Sequence, residues 1–144
     1  MSLSIKSLIS VSFTIIFSIL FFQDVFCAET QFYCEQVDGS KFYYDKDNIV
    51  YSSGKVRIWN SVVLSDIGKE YVKRNADVNG IDPYKILTYN EIDCKQKNFR
   101  ILSVIFCGET KSSLRMIDDA NRLIGPNTCP EELFDIICKK RKTP

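Results

Sequence analysis

The sequence predicts an α+β domain: a small antiparallel β-sheet of about five to six strands with a C-terminal α-helix packed on it. Three observations lead there. Two short aromatic runs flank Asp38-Gly39, the strongest local hairpin signal in the chain. Residues 55–64, 84–94 and 98–107 are long β-prone runs, the first with clear two-residue alternation. Near the end, Leu133, Phe134, Ile136 and Ile137 form the apolar stripe of a short helix.

The elements follow in order. Lys6 begins a targeting segment, and 8–22 is apolar apart from Ser10, Ser12, Thr14 and Ser18. That run is shorter than the roughly 20 residues a membrane span needs, and Gln23 and Asp24 end it. The pattern is that of a signal peptide over 1–27. A cut after Cys27 puts Val25 at the −3 position, leaving 28–144 as one domain with no membrane span. Residues 31–37 are extended, Asp38-Gly39-Ser40 turns the chain, and Lys41-Phe42-Tyr43-Tyr44-Asp45 returns. Ser52-Ser53-Gly54 is the next turn. In 55–64, Val56, Ile58, Val62 and Leu64 alternate with Lys55, Arg57 and Ser61, the period of a half-buried strand.

Residues 65–83 read as an excursion from the sheet, a loop with one or two helical turns. Ser65-Asp66 suits a helix start, whereas Gly68 weakens the helix and Asn79-Gly80 and Asp82-Pro83 punctuate a loop. The run 84–94 then pairs with 98–107 across Lys95-Gln96-Lys97. Strict alternation puts Arg100, Leu102, Val104 and Phe106 on one face, with Phe99, Ile101, Ser103, Ile105 and Cys107 on the other. Apolar residues on both faces suggest a central strand covered on both sides. A further strand is expected at about 112–118. Gly125-Pro126 breaks the chain, Thr128 with Glu131 resembles a capping box, and Pro130 suits a first helical turn. Lys139, Lys140, Arg141 and Lys142 fall where positive charge complements a helix dipole.

Composition narrows the chemistry. Nineteen basic against 18 acidic residues give a net charge of +1, which offers no electrostatic case for nucleic acid. The chain has no histidine, which removes Ser-His-Asp and Cys-His catalysis and histidine-ligated zinc. No phosphate-binding glycine loop, calcium loop or G-x-S-x-G is present. Asp45 with Asp47, and Asp118-Asp119, are acid pairs of the kind that usually lie solvated in turns. No catalytic residue, metal or cofactor is expected. Trp59, Tyr43, Tyr44 and Tyr89 suit either strand packing or a ligand-facing patch. Trp59 falls opposite Val56 and Ile58, and Lys139 to Lys142 offer a basic end to the chain.

Cut after Cys27, the chain keeps Cys34, Cys94, Cys107, Cys129 and Cys138. An odd number leaves at least one thiol without an intramolecular partner, either buried and inert or bridging two chains into a dimer. Cys94 closes a strand and Cys138 sits in the last helix, an arrangement that reads as a bridge between helix and sheet.

Several short motifs occur in a telling order. Phe42-Tyr43-Tyr44-Asp45 is followed by Asn48-Ile49 and Val56-Arg57-Ile58-Trp59. Then come Tyr89-Asn90-Glu91-Ile92-Asp93-Cys94, Arg100-Ile101-Leu102-Ser103, Ile124-Gly125-Pro126-Asn127-Thr128 and the helix carrying Cys138. This ordered set resembles the surface-adhesin protein E family of Gram-negative bacteria over nearly the whole mature chain. The resemblance implies the sheet-plus-helix fold and a Cys94–Cys138 disulfide. The second expected pairing is Cys107–Cys129. The resemblance also implies a non-enzymatic, adhesin-like protein at the bacterial surface, contacting host matrix or serum proteins. The alternative is a periplasmic or envelope accessory protein binding another bacterial protein. The excursion, the extra cysteines and the basic tail depart from the family pattern.

Overall fold

The computed structural model describes residues 30–78, 80–117 and 120–139. The expected leader 1–27, Asp118-Asp119, and the tail residues Lys140, Arg141 and Lys142 lie outside the described residues. The strands are β1 (Thr30–Glu35), β2 (Lys41–Asp45), β3 (Val50–Ser52), β4 (Lys55–Val63), β5 (Lys85–Asp93), β6 (Asn98–Cys107), β7 (Ser112–Met116) and β8 (Arg122–Leu123). Helix α1 (Asp66–Asn75) follows β4, and α2 (Cys129–Phe134) runs into a π-helical turn, Asp135–Lys139. All pairings are antiparallel, in the order β1-β2-β4-β5-β6-β7, with β3 added to β4 and β8 to β6.

The sheet therefore has eight strands, not five to six. The two extra strands are three and two residues long, too short to show a period. Strand β3 is nonetheless explicable. Ser53 and Gly54 both have positive φ, 51° and 81°, and Ser52 pairs with Lys55. That is the backbone of a two-residue type I′ hairpin.

The excursion is more helical than expected, with ten residues in α1. Ser65 Oγ accepts from Gly68 N, Asp66 lies in the first turn, and Lys73 and Arg74 lie in the last. Gly68 sits so close to Ser40 that a Cβ would stand 2.5 Å from its Oγ. The residue that weakens the helix on propensity is the one that lets the helix dock beside the β1–β2 turn.

Alternation gives the sheet two unlike faces. Tyr44, Val56, Ile58 and Ile92 point to one side, where they meet Leu133, Phe134 and Ile137 in the main core. Ile124 and Tyr33 complete that core. Two bulges shift the alternation. In β1 the register passes from Phe32↔Tyr43 to Cys34↔Phe42, so both Tyr33 and Cys34 are buried. In β6 the register passes from Ser103↔Tyr89 to Ile101↔Asn90. The extra residue, Leu102, corrects the strict two-face assignment. Arg100 shares a face with Ser103, Ile105 and Cys107, whereas Phe99 and Ile101 join Val104 and Phe106.

Cys94 is bonded to Cys138, and Cys34 to Cys129. The two bridges fasten both ends of the terminal helical segment to the sheet. A helix this short is marginal alone, and each bridge contributes about 2–4 kcal/mol by restricting the unfolded chain. The expected Cys107–Cys129 pairing is corrected, since Cys107 is a free, half-buried thiol. It ends β6 opposite Lys85 and Ser112, while the chain enters α2 from β8, beside the Asn98 end of β6. A strand of that length separates the two by about 30 Å. The bulge at Tyr33, invisible in the sequence pattern, is what turns Cys34 inward to meet Cys129. Burial raises the Cys107 thiol pKa, and Lys85 only partly opposes this, so the thiol resists ionisation.

Candidate binding face

The side of the sheet away from α2 carries the arrangement that a binding function would use. Register aligns Phe32, Tyr43, Ser61, Leu87, Ile105 and Leu114 in one row across all six long strands. Only Ser61 interrupts its apolar character. The next row holds Trp59, Tyr89, Ser103 and Met116. Phe32 is 50% exposed, Leu114 63% and Met116 76%. Phe32 packs edge-on against Tyr43 at 5.6 Å between centroids, and Trp59 stacks on Tyr89 at 4.9 Å. An uncovered apolar surface rimmed by polar groups marks an interaction site more often than chance exposure.

The third row is ionic. Val50, Arg57, Glu91 and Arg100 lie side by side. Glu91 is only 5% exposed. It receives Arg57 Nε at 2.9 Å on Oε2, and Lys55 Nζ and Arg100 Nε, each at 3.1 Å, on Oε1. Burial alone would raise the Glu91 carboxyl. Hydrogen bonds from Arg57 and Lys55, with the charge of Arg100, more than offset that, and the group titrates below its ordinary value. The bulge at Leu102 brings Arg100 to this face.

A groove of about 380 Å³ opens where the neighbour of β4 changes from β2 to β3. Trp59, Tyr89, Leu87, Lys85, Asn48 and Val50 are among its walls. Buried Asp45 organises the connection. Its Oδ1 accepts from Asp47 N and Asn48 N, and its Oδ2 from Asn48 Nδ2 at 2.8 Å. Asp93 likewise accepts from Lys95 N and Gln96 N. Both carboxylates are thus committed to turns. No cluster of potential metal ligands occurs among the described residues.

The structure separates the residues proposed from sequence as a binding surface. Trp59 and Tyr43 share the open face on either side of Ser61. Tyr44 is buried on the other face, and Tyr89 is on the open face as the register partner on which Trp59 stacks. Lys139 ends the helical segment, pairing with Asp135 at 2.8 Å, on the covered side of the sheet. Sequence reasoning missed the Glu91 cluster. Its signal was present, since Arg57 and Glu91 fall opposite each other once 55–63 and 85–93 are paired. Arg100 joins them only through a bulge that no pattern announces.

Comparison with known proteins adds the family. The model of the surface-adhesin protein E family matches residues 32–139, from β1 to the end of the helical segment. A crystal structure of Haemophilus influenzae protein E (crystal form II) superposes with a TM-score of 0.52 at 16% identity, covering 75% of this chain and 87% of that one. No curated protein matches in sequence. At that identity the structure speaks for the shared fold, and the family match, spanning most of the chain, carries the assignment: this chain belongs to the surface-adhesin protein E family.

Proposed function

We propose that the protein is an exported, non-enzymatic adhesin that contacts a host matrix or serum protein at the bacterial surface through the face of its sheet opposite α2. Family membership and the leader-like N-terminus support this reading, and two disulfides suit an oxidising compartment. Among the described residues no helix is long and apolar enough to cross a membrane. The observation that carries the reading is the largely apolar row from Phe32 to Leu114, exposed at both ends and laid across the face that no helix among the described residues covers.

Purified protein should bind at least one immobilised matrix or serum protein. Phe32→Ser with Leu114→Ser should weaken that binding about tenfold or more, as loss of interface anchors does. Binding to none of them, or binding indifferent to the double substitution, would remove the adhesin reading. Protease treatment of intact cells tests location. Cleavage is expected there, and protection that ends only when the outer membrane is opened would place the protein in the periplasm as an accessory to another envelope protein.

A further inference from the structure

We propose that the groove beside the Trp59–Tyr89 stack, together with Lys55, Arg57 and Arg100, binds an anionic glycan, a sugar bearing carboxylate or sulfate groups. The inference goes beyond protein binding and stands without it. Its first support is charge. Three cations surround one carboxylate, so the cluster keeps a net positive charge on an open face. Arg57 contributes only Nε to Glu91, and its side chain is 51% exposed. Buried Glu91 fixes the three cations in place, so little side-chain freedom is lost when an anion docks, and guanidinium groups match carboxylate and sulfate geometry.

The second support is adjacency. Arg57 and Trp59 are successive same-face residues of β4, and Glu91 and Tyr89 are the same on β5, so the cations border the aromatic stack at about 7 Å. Val50 lines the groove and is the register partner of Arg57.

The third support is the groove wall, which favours a sugar over an acidic peptide. It combines aromatic and apolar surface with neutral hydrogen-bonding groups from Thr30 and Asn48, the latter held in place by Asp45. Ser61 Oγ, on a further wall residue whose side chain shares the Trp59 face, is buried without a hydrogen-bond partner among the described residues. An unmet oxygen of this kind calls for a partner the isolated chain does not supply. A sugar presents hydroxyls and a C–H face together. A run of acidic side chains offers charge without that hydroxyl-bearing surface.

Trp59 is the one tryptophan in the sequence, so its emission reports occupancy of the groove directly. The full chain would be titrated with a sulfated heparin hexasaccharide, with neutral maltohexaose and with a hexaglutamate peptide. Saturable change in Trp59 emission is expected with the heparin fragment alone, weakening as salt rises. Arg57→Gln with Arg100→Gln should weaken it about tenfold, equivalent to the loss of about one charge-assisted hydrogen bond. Lys69→Gln with Arg74→Gln removes the same charge from α1 and should leave it unchanged. Circular dichroism would verify each fold. If the first pair fails to fold, Arg57→Gln alone carries the test with an expected loss of about threefold. Binding without a change in Trp59 emission, no binding, equal loss from the α1 pair, or equal binding of hexaglutamate would each overturn the proposal.

Discussion

The two faces of the sheet are built from the same strands, one residue apart, yet they solve opposite problems. On the covered face, Val56, Ile58 and Ile92 meet Leu133, Phe134 and Ile137, and two disulfides hold the helical segment there. On the open face, similar side chains meet only one another and no helix among the described residues. Phe32, Leu114 and Met116 stay exposed while Trp59 and Tyr89 pack mainly on each other. Polar groups differ in the same way. The open face carries a buried carboxylate with three cations, an arrangement that adds order without closing the surface. The contrast separates residues that keep the fold from residues free to make contacts.

Substitutions can break that contrast or sharpen it. The largest effect belongs to the covered face. Cys94→Ser with Cys138→Ser should lower stability by about 2–5 kcal/mol, measured by urea unfolding under non-reducing conditions. A loss no larger than that of an exposed-site variant would mean the helix docks without its bridge. An intermediate effect is expected at Glu91. Glu91→Gln leaves three cations around a neutral group and should cost about 1–3 kcal/mol at neutral pH.

The pH dependence of that variant has a defined sign. The folded pKa of Glu91 lies below its ordinary value of 4.5. Its stabilisation is therefore present above that value and lost as pH falls through the folded pKa. Glu91→Gln should flatten the acid limb of the stability curve below about pH 4.5, the ordinary glutamate value. Asp93 and Glu131 are depressed too and should leave a residual slope. An unchanged limb would show that Glu91 titrates normally. The smallest effect belongs to the open face, where Leu114→Ser should alter stability by no more than about 0.5 kcal/mol. A larger loss would mean that the exposed row helps hold the sheet together.

Much of the fold was legible because long strands carry their own period. Residues 55–63, 85–93 and 98–107 declared themselves by alternation and length, and the helical segment by Pro130 and its apolar stripe. Strand β3 was hidden because three residues carry no period, although Ser53-Gly54 held the turn that makes it. Helix α1 was underestimated because Gly68 was judged on propensity, while its role is close packing against Ser40. The open face was half legible. Trp59 could be placed opposite Val56 and Ile58 by counting, and Tyr43 proved to share its side. Arg100 and Cys34 could not be placed, because each depends on a bulge and a bulge reverses every face assignment beyond it. One such error hid the cation cluster, and the other left Cys129 without its true partner.

The two disulfides have a topological consequence. Their loops overlap, 34 to 129 and 94 to 138, so a single backbone cut anywhere between Cys34 and Cys138 leaves the two pieces covalently joined. Tension has a similarly protected route. A pull between the flanks of the domain passes from Cys34 through sulfur to Cys129 and leaves at Cys138, along the short helical segment. The strands from β2 to β7 are bypassed, so a stretched molecule carries the load through its flanks and the helical segment, outside those strands.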